Sequence, residues 1–166
     1  MSGIDTFTSP TLGRVSLEEV IEGIANYLYE EPQSHYRLVI GTDSQDRRAS
    51  GRKYTNFVTA VVVHRIGKGG RYFWRNGKKE QMRSLRQKIY TETFRSLEVA
   101  EQLVPKLSTK LNGNSNWELE IHIDVGQSGE TREMIKEVVG MVMGNGYTAK
   151  TKPDSFGASS VADRHA

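Results

Sequence analysis

The chain has 166 residues and no cysteine, with 26% charged and 36% hydrophobic residues. This length and composition are typical of one globular domain with its own core, and they exclude disulfides and thiolate metal sites. No basic-then-apolar leader and no apolar run of about 20 residues is present, so we expect neither a secretory signal nor a membrane span. A cytoplasmic location is therefore expected.

The net charge of +3 hides an uneven distribution of charge. Residues 47–88, the basic segment, contain 13 Lys or Arg and one acid, Glu80. The rest of the chain then holds 10 basic residues (23 minus 13) and 19 acids (20 minus 1). Such a segment can neutralise the phosphates of a nucleic acid, or it can simply be a solvated surface. Its charge therefore leaves both interpretations open.

The first residues carry little pattern, and a helix follows them. Residues 1–13 show no periodicity and are predicted to be a flexible tail, and residues 14–166 are predicted to be a single domain. Ser16 and Glu19 match a capping box, and apolar residues then repeat at helical spacing as far as Pro32. We therefore predict an extra N-terminal helix with a structural role.

Three strands are predicted next, and they form an antiparallel meander. They cover residues 36–42, 57–64 and 71–74, where β-branched and aromatic residues are frequent. Residues 46–53 are predicted to be a polar, basic loop. The sequence GKGG at residues 67–70 is too short and wrongly placed for a phosphate-binding loop, and it predicts a hairpin turn.

The second half of the chain alternates helices with strands. Helices are predicted over residues 80–103 and 131–143 and after Pro153, and strands over residues 117–124 and 147–152. This alternation is typical of parallel strands joined by crossover connections, so the sheet is expected to be mixed. The fold class is α/β.

Four acids are predicted to meet at one edge of this sheet. Asp43 and Asp124 end two strands, and the ends of parallel strands are where sites form in open α/β sheets. Glu92 interrupts the inner face of the first long helix, and Asp163 lies on the last helix. Clustered carboxylates repel one another unless hard cations neutralise them, and oxygen ligands favour Mg²⁺ or Mn²⁺.

Each of these acids has an alternative interpretation. Asp43 is also common as a turn residue, and Glu92 can pair with nearby Lys88 or Arg95 on its helix. Glu98 competes with Glu92, and Asp154 competes with Asp163 for the fourth place. His122, two residues before Asp124, is interpreted as a packing or supporting residue.

Several segments together resemble a known family. The sequences GTDSQ, YTETF, HIDVG and SSVADR are similar to those of the ribonuclease H-like superfamily, and most closely to the bacterial YkuK family of predicted nucleases. This resemblance implies a mixed five-stranded sheet in the order 3-2-1-4-5, flanked by helices. It also implies that Asp43, Glu92, Asp124 and Asp163 hold two Mg²⁺ or Mn²⁺ ions that hydrolyse phosphodiester bonds of nucleic acid.

The expected partner is thus RNA, DNA or a hybrid of the two, with no membrane partner. A module that binds nucleic acid with little or no catalysis is the alternative, and a phosphotransferase is disfavoured because glycine-rich phosphate loops are missing. The residues predicted to contact nucleic acid are basic and come from the basic segment: Arg47, Arg48, Arg52, Lys53, Arg71, Lys78, Lys79 and Arg83.

Overall fold

The computed structural model describes residues 6–113, 116–126, 129, 131–152 and 154–155. The described residues form one seven-stranded mixed sheet and three α-helices. The strands are β1 (Thr6–Ser9), β2 (Gly13–Ser16), β3 (Tyr36–Ala49), β4 (Arg52–Arg65), β5 (Gly70–Asn76), β6 (Trp117–His122) and β7 (Thr148–Lys150). The helices are α1 (Leu17–Glu30), α2 (Leu85–Leu111) and α3 (Ile135–Gly144), the last preceded by a 3₁₀ turn over Arg132–Met134. The strand order is β2-β1-β5-β4-β3-β6-β7.

The N-terminal residues are part of the sheet. The prediction of a flexible tail was wrong for residues 6–13, because β1 and β2 form a hairpin and Thr8 of β1 pairs with Trp74 of β5. Phe7 is fully buried in the core, and this burial holds the hairpin on the sheet. The prediction of a five-stranded sheet was therefore also wrong. Strands of four residues are too short to show a clear alternation in the sequence.

Helix α1 begins as the sequence predicts. The Ser16 Oγ accepts a hydrogen bond from the Glu19 backbone N–H at 3.1 Å, and the Glu19 Oε1 accepts one from the Ser16 N–H at 3.0 Å. The capping box is thus confirmed, although this helix follows a hairpin and is not the first element of the chain.

Removal of the capping hydroxyl provides a stability test. Ser16→Ala is expected to lower the free energy of unfolding by about 1 kcal/mol, because the Glu19 N–H of the first turn loses its hydrogen-bond acceptor. Denaturant titration measures this change. Ser16→Asp keeps a capping oxygen and is expected to stay close to the wild type, so an equal loss in both variants would contradict the capping role.

Strands β3 and β4 are much longer than predicted. Their antiparallel pairing continues from Tyr36–Arg65 to Ala49–Arg52, so the predicted loop over residues 46–53 is instead a strand pair with a tight turn. Ser50 and Gly51 adopt positive φ angles of 53° and 75° at this turn. The ladder of backbone hydrogen bonds outweighs the low strand propensity of the charged residues here.

Helix α2 also runs further than predicted. It continues through Pro105 to Leu111, whereas the sequence predicted an end near that proline. Leu107 and Leu111 are buried in the core, and their burial offsets the lost hydrogen bond at Pro105. Residues 154–155 of the final segment are not helical, and the rest of the helix predicted after Pro153 lies outside the described residues.

The sheet places Asp43 and Asp124 just beyond the end of one parallel strand pairing. Strand β3 is antiparallel to β4 and parallel to β6, and β6 is parallel to β7, so the sheet is mixed as predicted. The parallel register of β3 and β6 ends at the pair Gly41–His122. Asp124 follows the end of β6, whereas Asp43 lies inside β3, so the prediction that Asp43 ends its strand was wrong. Both residues lie two positions beyond the last parallel pair, where β3 continues with β4 alone. None of the helices within the described ranges is long and apolar enough to cross a membrane.

Candidate active site

Glu92 reaches the same edge from helix α2. One turn later on this helix, the Ser96 hydroxyl lies 2.8 Å from the Thr42 hydroxyl of β3 and fixes the helix against the strand. Glu92 itself is only 6% exposed. The Ser44 hydroxyl donates a hydrogen bond to the Glu92 Oε2, while Oε1 is buried and has no hydrogen-bond partner among the described residues.

The pKa of Glu92 responds to the charges of both aspartates. Burial raises the pKa of the Glu92 carboxyl to about 8, against the hydrogen bond from Ser44, which lowers it. The charges of Asp43 and Asp124 raise this pKa further, and Lys88 opposes them. The Glu92 carboxyl is therefore largely protonated at neutral pH unless a cation joins the three acids.

A lysine already supplies a positive charge at this edge. The Lys152 Nζ lies 2.7 Å from the Asp124 Oδ1, and this contact raises the pKa of the Lys152 ammonium. The charges of Asp43 and Glu92 contribute in the same direction. One ammonium group thus interacts with all three carboxyl groups.

The three acids offer oxygen donors of the kind that bind a divalent metal ion. Within the described parts of the chain, no group of three or more His, Asp or Glu side chains stands ready to hold a metal ion. The chemistry of the donors nevertheless fits a hard cation, because the Glu92 Oε1 is buried without a partner and the cluster already attracts an ammonium. An oxygen-only set of this kind suits Mg²⁺ or Mn²⁺.

The other predicted candidates lie outside the described residues or contact residues other than the three acids. Asp163 lies outside the described residues, and Asp154 is exposed in a turn. The Glu98 side chain is half exposed and lies 3.6 Å from the Arg95 guanidinium, so Glu92 is the α2 acid that faces the cluster. His122 is buried, with its Nε2 3.1 Å from the Glu120 Oε1 and no partner for Nδ1 in the described part of the chain.

Most of the predicted basic contacts lie near the turn that joins β3 and β4. We call residues 46–55 the basic ribbon, because β5 pairs with β4 only as far as the pair Val58–Asn76 and leaves this end of the strand pair largely free of neighbouring strands. The ribbon and the segment that follows β5 carry seven of the eight predicted residues, all of them exposed: Arg47, Arg48, Arg52, Lys53, Lys78, Lys79 and Arg83. Lys79 also stacks 5.0 Å above the ring of Tyr54 in the ribbon.

Arg71 is separated from that group. It pairs with Val63 near the other end of β4, five register positions away from Val58, the partner of Asp43. Its guanidinium stacks 4.6 Å above the ring of Tyr27 in α1. Arg71 therefore lies at the far end of the sheet from the three acids.

Three residues around the acids were not predicted from the sequence. Ser44 hydrogen-bonds Glu92, Lys152 pairs with Asp124, and Asp46 accepts from the Thr55 hydroxyl at 2.8 Å and pairs with Lys88 at 3.2 Å. Ser44 has a sequence signal, because it lies two residues from Thr42 and so shares its face of β3. Lys152 follows a strand parallel to β6, and the same strand-end argument that found Asp124 could have found it.

The chain is similar to one protein family and to one relative over most of its length. The family model described as "Ribonuclease H-like" matches residues 19–166. The chain is 35% identical over 160 residues to "Uncharacterized protein YkuK" of Bacillus subtilis (strain 168), and the match covers 91% of each chain. No solved structure matches this chain.

Proposed function

The chain belongs to the ribonuclease H-like family, and from this membership we propose that it hydrolyses phosphodiester bonds of nucleic acid with divalent metal ions. The main support is the meeting of Asp43, Glu92 and Asp124 at one edge of the sheet, where their charges act on one another. Carboxylates whose charges repel one another are stabilised when a hard cation binds among them.

The proposed site assigns a role to each acid. Asp43, Glu92 and Asp124, with Asp163 from the last segment, would hold Mg²⁺ or Mn²⁺. When bound, two such ions supply an activated water and stabilise the leaving oxygen of the displaced phosphodiester. The Ser44 hydroxyl holds the Glu92 Oε2, so that the buried, unpartnered Oε1 remains for the ion. The acids therefore determine where the bond is cut.

The basic ribbon is the proposed path of the substrate away from the acids. Asp43 lies seven positions before Ser50 of the turn, which corresponds to about 23 Å at roughly 3.3 Å per residue. Nucleic acid with a rise of about 3.4 Å per nucleotide would span this distance with about seven nucleotides. The proposed substrate is therefore a polymer, and not a dinucleotide.

The ribbon's contribution can be measured by salt dependence. The double variant Arg47→Gln with Arg52→Gln is expected to bind a 20-base-pair duplex more weakly and to reduce the slope of log K against log salt by about 2, because two phosphate contacts are lost. Lys106→Gln with Lys110→Gln near the far end of α2 removes the same charge and is the control. An equal change in both double variants would show that only net charge matters.

A panel of substrates tests the proposed activity. We expect the wild-type chain to cleave at least one of hybrid, duplex, junction and single-stranded substrates in the presence of Mg²⁺ or Mn²⁺, and EDTA to abolish the cleavage. The products should be separated on denaturing gels with labelled substrates of at least 20 nucleotides. Absence of cleavage on every substrate, with salt-dependent binding retained, would contradict the nuclease.

A second candidate is a binding module without catalysis. The observation that favours it is the contact between Lys152 and Asp124, because an ammonium can neutralise the acids without a metal ion. In that case the wild-type chain would cleave none of the substrates, and no divalent ion would be needed for its binding of nucleic acid.

A further inference from the structure

We propose that the Lys152 ammonium is an internal cation that competes with a divalent metal ion for the carboxylate of Asp124. The inference rests on the proposed function, since it requires that the acids bind such an ion. It adds a residue that neither the family match nor the acid pattern of the sequence assigns. Lys152 is a positioning residue in this scheme, because it acts through Asp124.

The backbone fixes the position of Lys152 beside the acids. The Lys152 N–H donates to the Val125 carbonyl at 2.8 Å, and the Ile123 N–H donates to the Lys150 carbonyl at 2.9 Å. These bonds continue the parallel pairing of β6 with β7 beyond the ends of both strands. The segment that carries Lys152 therefore runs directly beside the segment that carries Asp124.

Gly126 makes room for the aliphatic part of the Lys152 side chain. A Cβ at position 126 would lie 3.1 Å from the Lys152 Cβ and 3.7 Å from its Cδ. A contact of 3.1 Å is tighter than most real Cβ contacts, so an alanine at position 126 would shift Lys152 by a few tenths of an ångström. The glycine of the HIDVG sequence is thus explained by the close approach of Lys152.

The contact with Asp124 conflicts with metal binding. An Mg²⁺ ion binds a carboxylate oxygen at about 2.0–2.1 Å, and an ammonium 2.7 Å from the Asp124 Oδ1 would then face a doubly charged ion at short range. Either cation neutralises the acid, but both cannot share that oxygen without repulsion. Because the Lys152 side chain is 59% exposed, it can swing into solvent when the metal ion binds.

Binding of Mn²⁺ to the full chain, without nucleic acid, tests the competition. The electron paramagnetic resonance signal of free Mn²⁺ decreases on binding and gives the affinity directly. Lys152→Met is expected to tighten Mn²⁺ binding by roughly fivefold, because it removes an exposed ion pair and a like charge. Gly126→Ala is expected to change the affinity in the same direction but by less, because it shifts the lysine slightly, and it serves as a second variant that keeps the charge.

Two controls define the result. Lys150→Met removes the same charge two residues earlier and is expected to leave the Mn²⁺ affinity within about twofold of the wild type. The gain from Lys152→Met is expected to disappear when Asp124 is also replaced by Asn, since the two side chains are then no longer coupled.

The outcomes separate this inference from the proposed function. Equal Mn²⁺ affinities of the wild type and Lys152→Met, at a site that Asp43→Asn weakens, would overturn the role of Lys152 and leave the nuclease proposal standing. Tighter binding in Lys152→Met without cleavage of any substrate would support the role of Lys152 and contradict the nuclease. No Mn²⁺ binding in either protein would overturn both.

Discussion

Asp43→Asn is expected to lower metal-dependent cleavage roughly a thousandfold, which corresponds to about 4 kcal/mol of lost transition-state stabilisation. The amide keeps the shape of the side chain but removes a negative charge that a divalent ion would need beside Glu92 and Asp124. Single-turnover cleavage of the best substrate from the panel, at saturating protein, measures the loss without a contribution from binding.

The same variant is expected to remain folded and to bind nucleic acid at least as well as the wild type. Asp43 raises the pKa of Glu92 through charge repulsion, so its replacement relieves a conflict in the metal-free protein. Removal of an anion from the surface next to the substrate also favours binding of a polyanion. Thermal unfolding in EDTA and duplex binding check these two expectations.

Asp46→Asn is the matched control for Asp43→Asn. It makes the same chemical change three residues later on β3, where the carboxylate pairs with Lys53 at 3.4 Å and Lys88 at 3.2 Å. We expect its cleavage rate to stay within about threefold of the wild type. If Asp43→Asn kept more than a tenth of the wild-type rate, or if Asp46→Asn lost as much activity, Asp43 would not be a metal ligand.

The sequence predicted those parts of the site that depend on periodicity and strand ends. Asp124 follows its strand as predicted, whereas Asp43 comes after an apolar stretch inside β3 and does not end that strand. The inner stripe of α2 distinguishes Glu92 from Glu98, because only one of them shares the buried face. These positions follow from local geometry once the parallel pairing of the two strands is expected.

The remaining features depend on contacts distant in the sequence. The basic ribbon is rich in Arg and Lys, and only the full register of β3 with β4 makes it a strand pair instead of a loop. Phe7 is buried because β1 reaches β5, more than sixty positions later in the chain. Lys152 approaches Asp124 through the β6–β7 neighbourhood and the missing side chain of Gly126. No local pattern encodes the first two contacts. For Lys152, the sequence indicates the end of the strand but not the contact with Asp124.

Glu92→Gln is expected to change the pH dependence of stability in the metal-free protein. The pKa of the Glu92 carboxyl is about 8 in the folded chain and about 4.5 without its surroundings. Between these two values the folded state holds a proton that the unfolded state releases. The free energy of unfolding therefore decreases as the pH rises from about 4.5 to 8, by at most about 1.4 kcal/mol per pH unit, and this contribution is constant outside that window.

The glutamine removes this contribution, because it stays neutral at every pH and its carbonyl oxygen can still accept the hydrogen bond from Ser44. In EDTA we expect the two proteins to be similar in stability near pH 4.5 and the variant to be more stable by several kcal/mol near pH 8. Denaturant titrations give the difference in stability between the two proteins at each pH. The change of this difference from pH 4.5 to pH 8 isolates the contribution of Glu92, because the other titrating groups contribute equally to both proteins.

Two further measurements link this stability change to the site. Glu98→Gln removes a half-exposed carboxyl from the same helix, and its difference in stability from the wild type is expected to be the same at both pH values. Mg²⁺ is expected to restore stability at pH 8 in the wild type and not in Glu92→Gln, since a bound cation favours the ionised carboxylate and stabilises the folded state by mass action. If the stability of the wild type and Glu92→Gln fell in parallel from pH 5 to 8 in EDTA, the carboxyl of Glu92 would be ionised without a metal ion. The cluster would then need no divalent cation to relieve it.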